Sequence, residues 1–253
     1  ILMARGELDE ALRIRTEEEL PVYEKLGDVR AKAVTQGKIA DILMARGELD
    51  EALRIRTEEQ LPVYERLGDV RAKAVTQGKI ANILMARGEF DEALRILSDE
   101  ELPVYEKLGD VRAKAVTQGK IADFLMARGE LDEALRILSD EVQPAFDKLG
   151  EVRSKAVTQG KIGDILMARG QLDEALRIRT EEELPAYEKL GDVRGLLVAR
   201  AKIGFNLLTR NAPGDRAEAR RLFDLTLADA RRLKLPQETA VIESWLKRLD
   251  DPA

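Results

Sequence analysis

Between Val29 and Arg46 the small and apolar residues Ala33, Gly37, Ala40 and Met44 fall at helical spacing, and Ile39 and Leu43 continue the stripe on its adjoining side. No proline interrupts the run. Asp28 stands where an N-cap is wanted, and Gly47 supplies a left-handed stop. A second helical run follows at once. Leu49, Ala52, Leu53, Leu61, Tyr64 and Leu67 mark its apolar side, acidic residues crowd its first turn, and Gly68 ends it. So short a connection makes the two helices antiparallel neighbours. Pro62 falls late in the second helix and predicts a kink there, with Val63 to Leu67 continuing helically.

This pattern returns every 41 residues. "GDVRAKAVTQGKIA" begins at Gly27, Gly68 and Gly109, a variant "GEVRSKAVTQGKIG" begins at Gly150, and a diverged copy opens at Gly191. Neither helix of one unit can bury its stripe alone, but stacked copies can, so the period predicts an all-α solenoid. The expected boundaries are 1–204 for the tandem hairpins and 205–253 for a diverged last repeat with capping helices. Ile1 to Gly6 reads as the last part of a first helix. A turn at 209–215, a helix from Arg216 to Leu233, an interruption at Pro236 and a last helix from Thr239 to Leu249 complete the chain.

The stretch "GKIADILMARGELDEALRI" (37–55) resembles the tetratricopeptide repeat, with small Ala40 in the first helix, Gly47 at the turn, and Leu49 and Ala52 in the second. The resemblance covers nearly the whole chain, in a 41-residue variant of bacterial type. It departs from the family in its period, since about 34 residues are usual, and in Gln36, which replaces a bulky residue. It implies a right-handed superhelix of antiparallel hairpins with a concave groove, positions 34, 37, 41 and 44 of the unit lining its inner wall. Across copies that gives a ladder of Asp41, Asn82, Asp123 and Asp164, with Met44, Met85, Met126 and Met167 one turn on. Acidic rungs beside thioethers suit a basic or amphipathic segment, although methionine more often fills gaps between helices. The carboxylate clamp of some family members is not expected, because Gly37 occupies the matching position.

Composition narrows the chemistry. The chain has no Cys and no His, which removes thiolate sites, cysteine nucleophiles and the commonest general base. Its net charge is −6; residues 195–253 carry 11 Lys+Arg against 8 Asp+Glu, a balance of +3, so the remainder carries −9. An acidic body disfavours nucleic acid. The one basic patch, Arg220, Arg221, Arg231, Arg232 and Lys234, is a candidate contact for an acidic partner. No apolar run is long enough to cross a bilayer, and the cytoplasm is the default expectation.

"QGK" (36–38) fails as a phosphate loop, since Ile39 follows Lys38 and helix-forming sequence lies on both sides. Gly37 instead predicts room on the inner wall, where successive first helices converge. "TEEE" (16–19) and "TEEQ" (57–60) lie along a helix rather than in a shaped loop, which argues against calcium. No catalytic residue, cofactor or metal is expected. Arg56 becomes Leu97 and Leu138 in later copies, and "SDEVQPAFDKLG" (139–150) is the most altered second helix. The expectation is a protein or peptide-binding scaffold, the sensor or assembly arm of a larger signalling or effector protein. The alternative is a self-assembly module that forms a homo-oligomer through its uncovered terminal hairpin.

Overall fold

The computed structural model describes residues 6–250. The expected fragment of a first helix at Ile1 to Gly6 therefore lies almost wholly outside the described residues. Helices account for the secondary structure of the described residues, and no strand occurs among them. The chain divides into two compact units, Ile1–Arg128 and Gly129–Ala253.

In the first unit the first helices of the repeat begin as the pattern requires. Val29–Ala45 is capped by Asp28, whose side chain accepts from the Ala31 amide at 2.9 Å. Asp69 and Asp110 cap Val70–Ala86 and Val111–Arg128 through the amides of Ala72 and Ala113. The glycines that close the helices, Gly47 and Gly68 among them, take positive φ, a backbone region costly for residues with a Cβ.

The second helix departs from expectation at its proline. Rather than a kink in an α-helix, each copy contains a π-helical turn just before it. Leu49–Arg54 is α-helical, Ile55–Gln60 is π-helical, and Leu61–Leu67 is α-helical again. The Leu61 amide donates to the Arg56 carbonyl, five residues back. The same arrangement recurs at Ile14–Glu19, Ile96–Glu101, Ile137–Val142 and Arg179–Glu183. In a continuous α-helix the proline ring would collide with the carbonyl four residues earlier. One extra residue in the turn removes that collision without ending the helix.

Within the first unit the core is shared between successive hairpins. Ile39, Ala40 and Leu43 of one first helix meet Ala52 and Ile55 of its second helix and Ile83 of the next first helix. Leu12 and Leu20 of the preceding hairpin pack on the same cluster. Fully buried alanines, such as Ala33, Ala40 and Ala52, let the helices approach closely. In the second unit, Val193–Arg210 pairs with Asp215–Arg232, which has neither the proline nor the π turn. The last helix is Pro236–Asp250. Pro236 therefore opens this helix instead of interrupting the chain before it, because its missing N–H costs nothing in a first turn. Ile242 and Trp245 carry the last helix onto the core of Leu197, Ile203, Leu207 and Phe223. The Trp245 ring stacks edge-on against Phe205 at 4.4 Å.

Candidate polar junctions between hairpins

In the first and fourth copies, residues at the registers of Asp41, Arg56 and Gln60 converge between the first and second helices. In the first copy, Arg56 is buried and donates to Asp41 at 2.7 Å, to the Gly37 carbonyl at 3.0 Å and to Gln60 at 2.7 Å. Lys79, from the next hairpin, reaches the same Asp41 oxygen at 3.1 Å. Burial pulls the Arg56 guanidinium below its ordinary range, and Asp41 opposes that shift. Residues 56 and 60 lie four apart on one side of the second helix, so the arginine and glutamine meet.

Gly37 makes this possible. A Cβ there would run into the Gln60 amide. The room is thus needed for a side chain of the second helix, a correction to the expectation that converging first helices demand it. At Gly78 a Cβ would lie 2.5 Å from the Glu101 carboxylate, and at Gly160 it would lie 2.6 Å from that of Glu183.

The fourth copy, in the second unit, keeps the arginine. Arg179 is fully buried and bonds Asp164 at 2.5 Å and Glu183 at 3.0 Å, while Lys202 also holds Asp164. Burial raises the Glu183 carboxyl above the usual range, opposed by Arg179 and Lys202.

The second copy has Leu97 in place of the arginine and Asn82 in place of the aspartate. Glu101 remains, buried, with Lys120 at 3.3 Å and 3.4 Å from its oxygens. Its carboxyl is raised by burial, against which Lys120 and Thr117 act. A cavity of about 360 Å³ opens above it, lined by Val75, Lys79 and Asn82 on one wall, by Arg112, Val116 and Lys120 on the other, with Glu101 and Tyr105 below. Burial and the Glu101 charge push the Tyr105 hydroxyl up to about 12.

The sequence-derived ladder is placed as follows. Asp41, Asn82, Asp123 and Asp164 are all half-buried on their first helices. Asp41 and Asp164 are each held by an arginine and a lysine, and Asn82 lines the cavity. Met44 packs on the shared core, Met126 and Met167 are half-buried, and Met85 is exposed. In the C-terminal patch, Arg221 bonds Glu218 and Arg231 bonds Glu243, both at 2.6 Å, and Arg232 bonds Asp229 at 2.8 Å. Arg220 pairs with Asp250. Each of these four arginines thus already has a carboxylate partner.

Reasoning from sequence treats Arg56 only as a residue that later copies replace and position 34 only as part of the inner wall; it assigns no role to Arg179 or Glu101. One linked change hinted at the junctions: where Arg56 becomes Leu97, Asp41 becomes Asn82, although Leu138 keeps Asp123. Among the described residues, no group of three or more carboxylates is placed to hold a metal ion, and no helix is long and apolar enough to cross a membrane.

Comparison with known proteins agrees with the hairpin geometry. A tetratricopeptide repeat model matches residues 81–98, the end of one first helix and the start of its partner. The fold is tetratricopeptide-like. Nearly identical repeats of a kinesin light chain-like protein from Podosopora anserina superpose with a TM-score of 0.65 at 20% identity, covering 80% of this chain and 96% of that one. The tetratricopeptide-like fold also matches a signal transduction ATPase with numerous domains and a tetratricopeptide repeat sensor, from Pyrococcus horikoshii. Its TM-score is 0.73 at 15% identity, over 96% of this chain but 36% of that one. A Rap protein solved with Competence and Sporulation Factor gives 0.68 at 14% identity, over 98% of this chain and 71% of that one. No curated protein matches in sequence.

Proposed function

We propose that this tetratricopeptide-like array is a protein-interaction scaffold whose first-helix face takes a peptide segment of a partner. The observation that carries the reading is the cavity between Val70–Ala86 and Val111–Arg128, where exposed valines stand over a buried polar floor. Recognition sites commonly combine apolar walls with a few placed polar groups. Asp41, Asn82, Asp123 and Asp164 share one register of the first helices, and Asp41 and Asp164 hold Lys79 and Lys202. The same reading makes the segment the sensor or assembly arm of a larger protein. Its likeness to about a third of a signalling ATPase that carries a repeat sensor supports this.

The test is selection from an unbiased displayed-peptide library against the whole chain. Selected peptides are then measured on Val75→Glu and Val116→Glu variants, with Glu92→Lys on an exposed second-helix position as control. Loss of binding on the valine variants alone supports the reading. Binding unaffected by either valine change sinks it.

A further inference from the structure

Each first helix of the first unit presents a cation, an exposed valine and a second cation at spacing i, i+4, i+8: Arg30, Val34, Lys38; Arg71, Val75, Lys79; Arg112, Val116, Lys120. That spacing places all three on one face of a helix. The carboxylates nearest these cations are turned to structural use. Asp69 gives one oxygen to the Ala72 amide and the other to Arg30, and Asp110 does the same with Ala113 and Arg71. Asp41 is divided between Arg56 and Lys79, and Glu101 lies beneath Lys120.

In each pair made with a cation of this stripe, Arg30, Arg71, Lys79 or Lys120, the acid is the more buried member. The Arg30 side chain is 65% exposed against 24% for Asp69, Lys79 is 43% against 35% for Asp41, and Lys120 is 26% against 3% for Glu101. A partner approaching this face therefore meets ammonium and guanidinium groups first, interleaved with valine side chains. An Arg or Lys that donates to one carboxylate keeps further donors for a second. The acidic residues that dominate the overall charge lie elsewhere, in the runs "LDEALR" and "RTEEQ" of the second helices.

We infer that the segment taken by the first unit is acidic, with Asp or Glu side chains bracketing apolar residues that pack on Val75 and Val116. This deepens the reading of the first-helix face as a peptide site and rests on it. It also reverses the polarity that the Asp41 ladder alone suggests, because Arg56 and Lys79 both pair with Asp41. Charge complementarity of this kind fixes register and speeds encounter.

Fluorescence anisotropy on the whole chain separates the inference from the reading beneath it. The probes are three labelled peptides of equal length, in which leucine alternates with glutamate, with lysine or with serine. The expected result is affinity for the glutamate peptide at least about tenfold above the serine peptide, weakening as salt rises. Binding falls on Val116→Glu and, by a smaller factor, on Lys38→Ala, a variant whose exposed side chain leaves the fold intact by circular dichroism. Equal or tighter binding of the lysine peptide, still lost on Val116→Glu, overturns the acidic preference and leaves the peptide site standing. Binding of all three without sensitivity to Val116→Glu overturns both. Displacement of the glutamate peptide by a short single-stranded RNA at lower concentration than by unlabelled peptide also overturns the inference, because the cations then select phosphate.

Discussion

The hairpin built around Arg179 and the one built around Leu97 solve the same packing problem in opposite ways. Arg179 is fully buried between Asp164 and Glu183, an ionic solution in which every member needs the others. Leu97 is equally buried, and in its repeat Asn82 stands at the register of the aspartate. The lysine of the following hairpin moves with the charge: Lys202 holds Asp164, whereas Lys120 holds Glu101. Charge is thus balanced between neighbouring repeats, with the next hairpin's lysine pairing whichever acid its predecessor carries.

The largest expected effect comes from breaking the ionic solution without replacing it. Arg179→Leu leaves Glu183 buried and unpaired and costs about 3–5 kcal/mol. Adding Glu183→Val reproduces the Leu138 and Val142 pair found elsewhere in the chain and recovers most of that loss, since apolar replacement of a buried ion pair is often neutral. Trp245, the one tryptophan, lies in the same unit and reports denaturant unfolding by fluorescence. A double variant as unstable as the single one would show that Arg179 acts through packing of its stem, not through charge.

Next in size is the glycine beneath the 60 register. Gly78→Ala forces a methyl against the Glu101 carboxylate and is expected to cost about 1–3 kcal/mol, the usual penalty of overpacking. A Cβ at Gly119 meets nothing within 4 Å. Gly119→Ala should therefore stabilise, by up to about 1 kcal/mol of helix propensity. Hydrogen exchange resolved to the helices Val70–Ala86 and Val111–Arg128 measures both. Equal effects at the two sites would contradict the assignment of Gly78 to side-chain room.

The helices, their caps and their stops were legible because they rest on local rules. Asp28, Gly47 and Gly68 announce themselves by position alone. The π turn was not legible, because Pro62 signals only that something must change, and a kink and a wider turn both relieve the clash. The polar junctions were hidden for another reason. Arg56 and Asp41 lie 15 residues apart on different helices, so no local rule announces their pairing, and substitution between copies links them only once, because Leu138 keeps Asp123. Asp41 read in isolation looks like an acidic rung, and its neutralising partners emerge only once the hairpin is folded.

Buried Glu101 also makes the second copy respond to pH. Its carboxyl is raised in the fold, so between the ordinary carboxylate range and the raised value the native state binds more protons than the unfolded chain. Stability then falls as pH rises through that window. Glu101→Gln removes the ionisation, so it should stabilise the first unit at neutral pH and lose that advantage on acidification towards pH 4.5, the ordinary value. Melting temperatures of both proteins across the window decide it. A constant difference would mean that the Lys120 pair compensates the burial fully.

The smallest effect tests the caps. Asp28, Asp69, Asp110 and Asp192 each accept a backbone amide of the first turn, but Glu151 at the same position does not. Its backbone angles match the others, so the longer side chain is the cause; it accepts from the Ser154 hydroxyl at 2.7 Å instead. The pair Glu151→Asp and Ser154→Ala restores the sequence of the sister repeats and should gain about 0.5–1 kcal/mol, a typical cap contribution. Trp245 fluorescence follows the gain in the same unit. Ser154→Ala alone, which removes the serine bond and raises helix propensity, is the control, and only a gain beyond it belongs to the recovered cap. A neutral result would mean that the Ser154 bond already holds the first turn as well as an aspartate does.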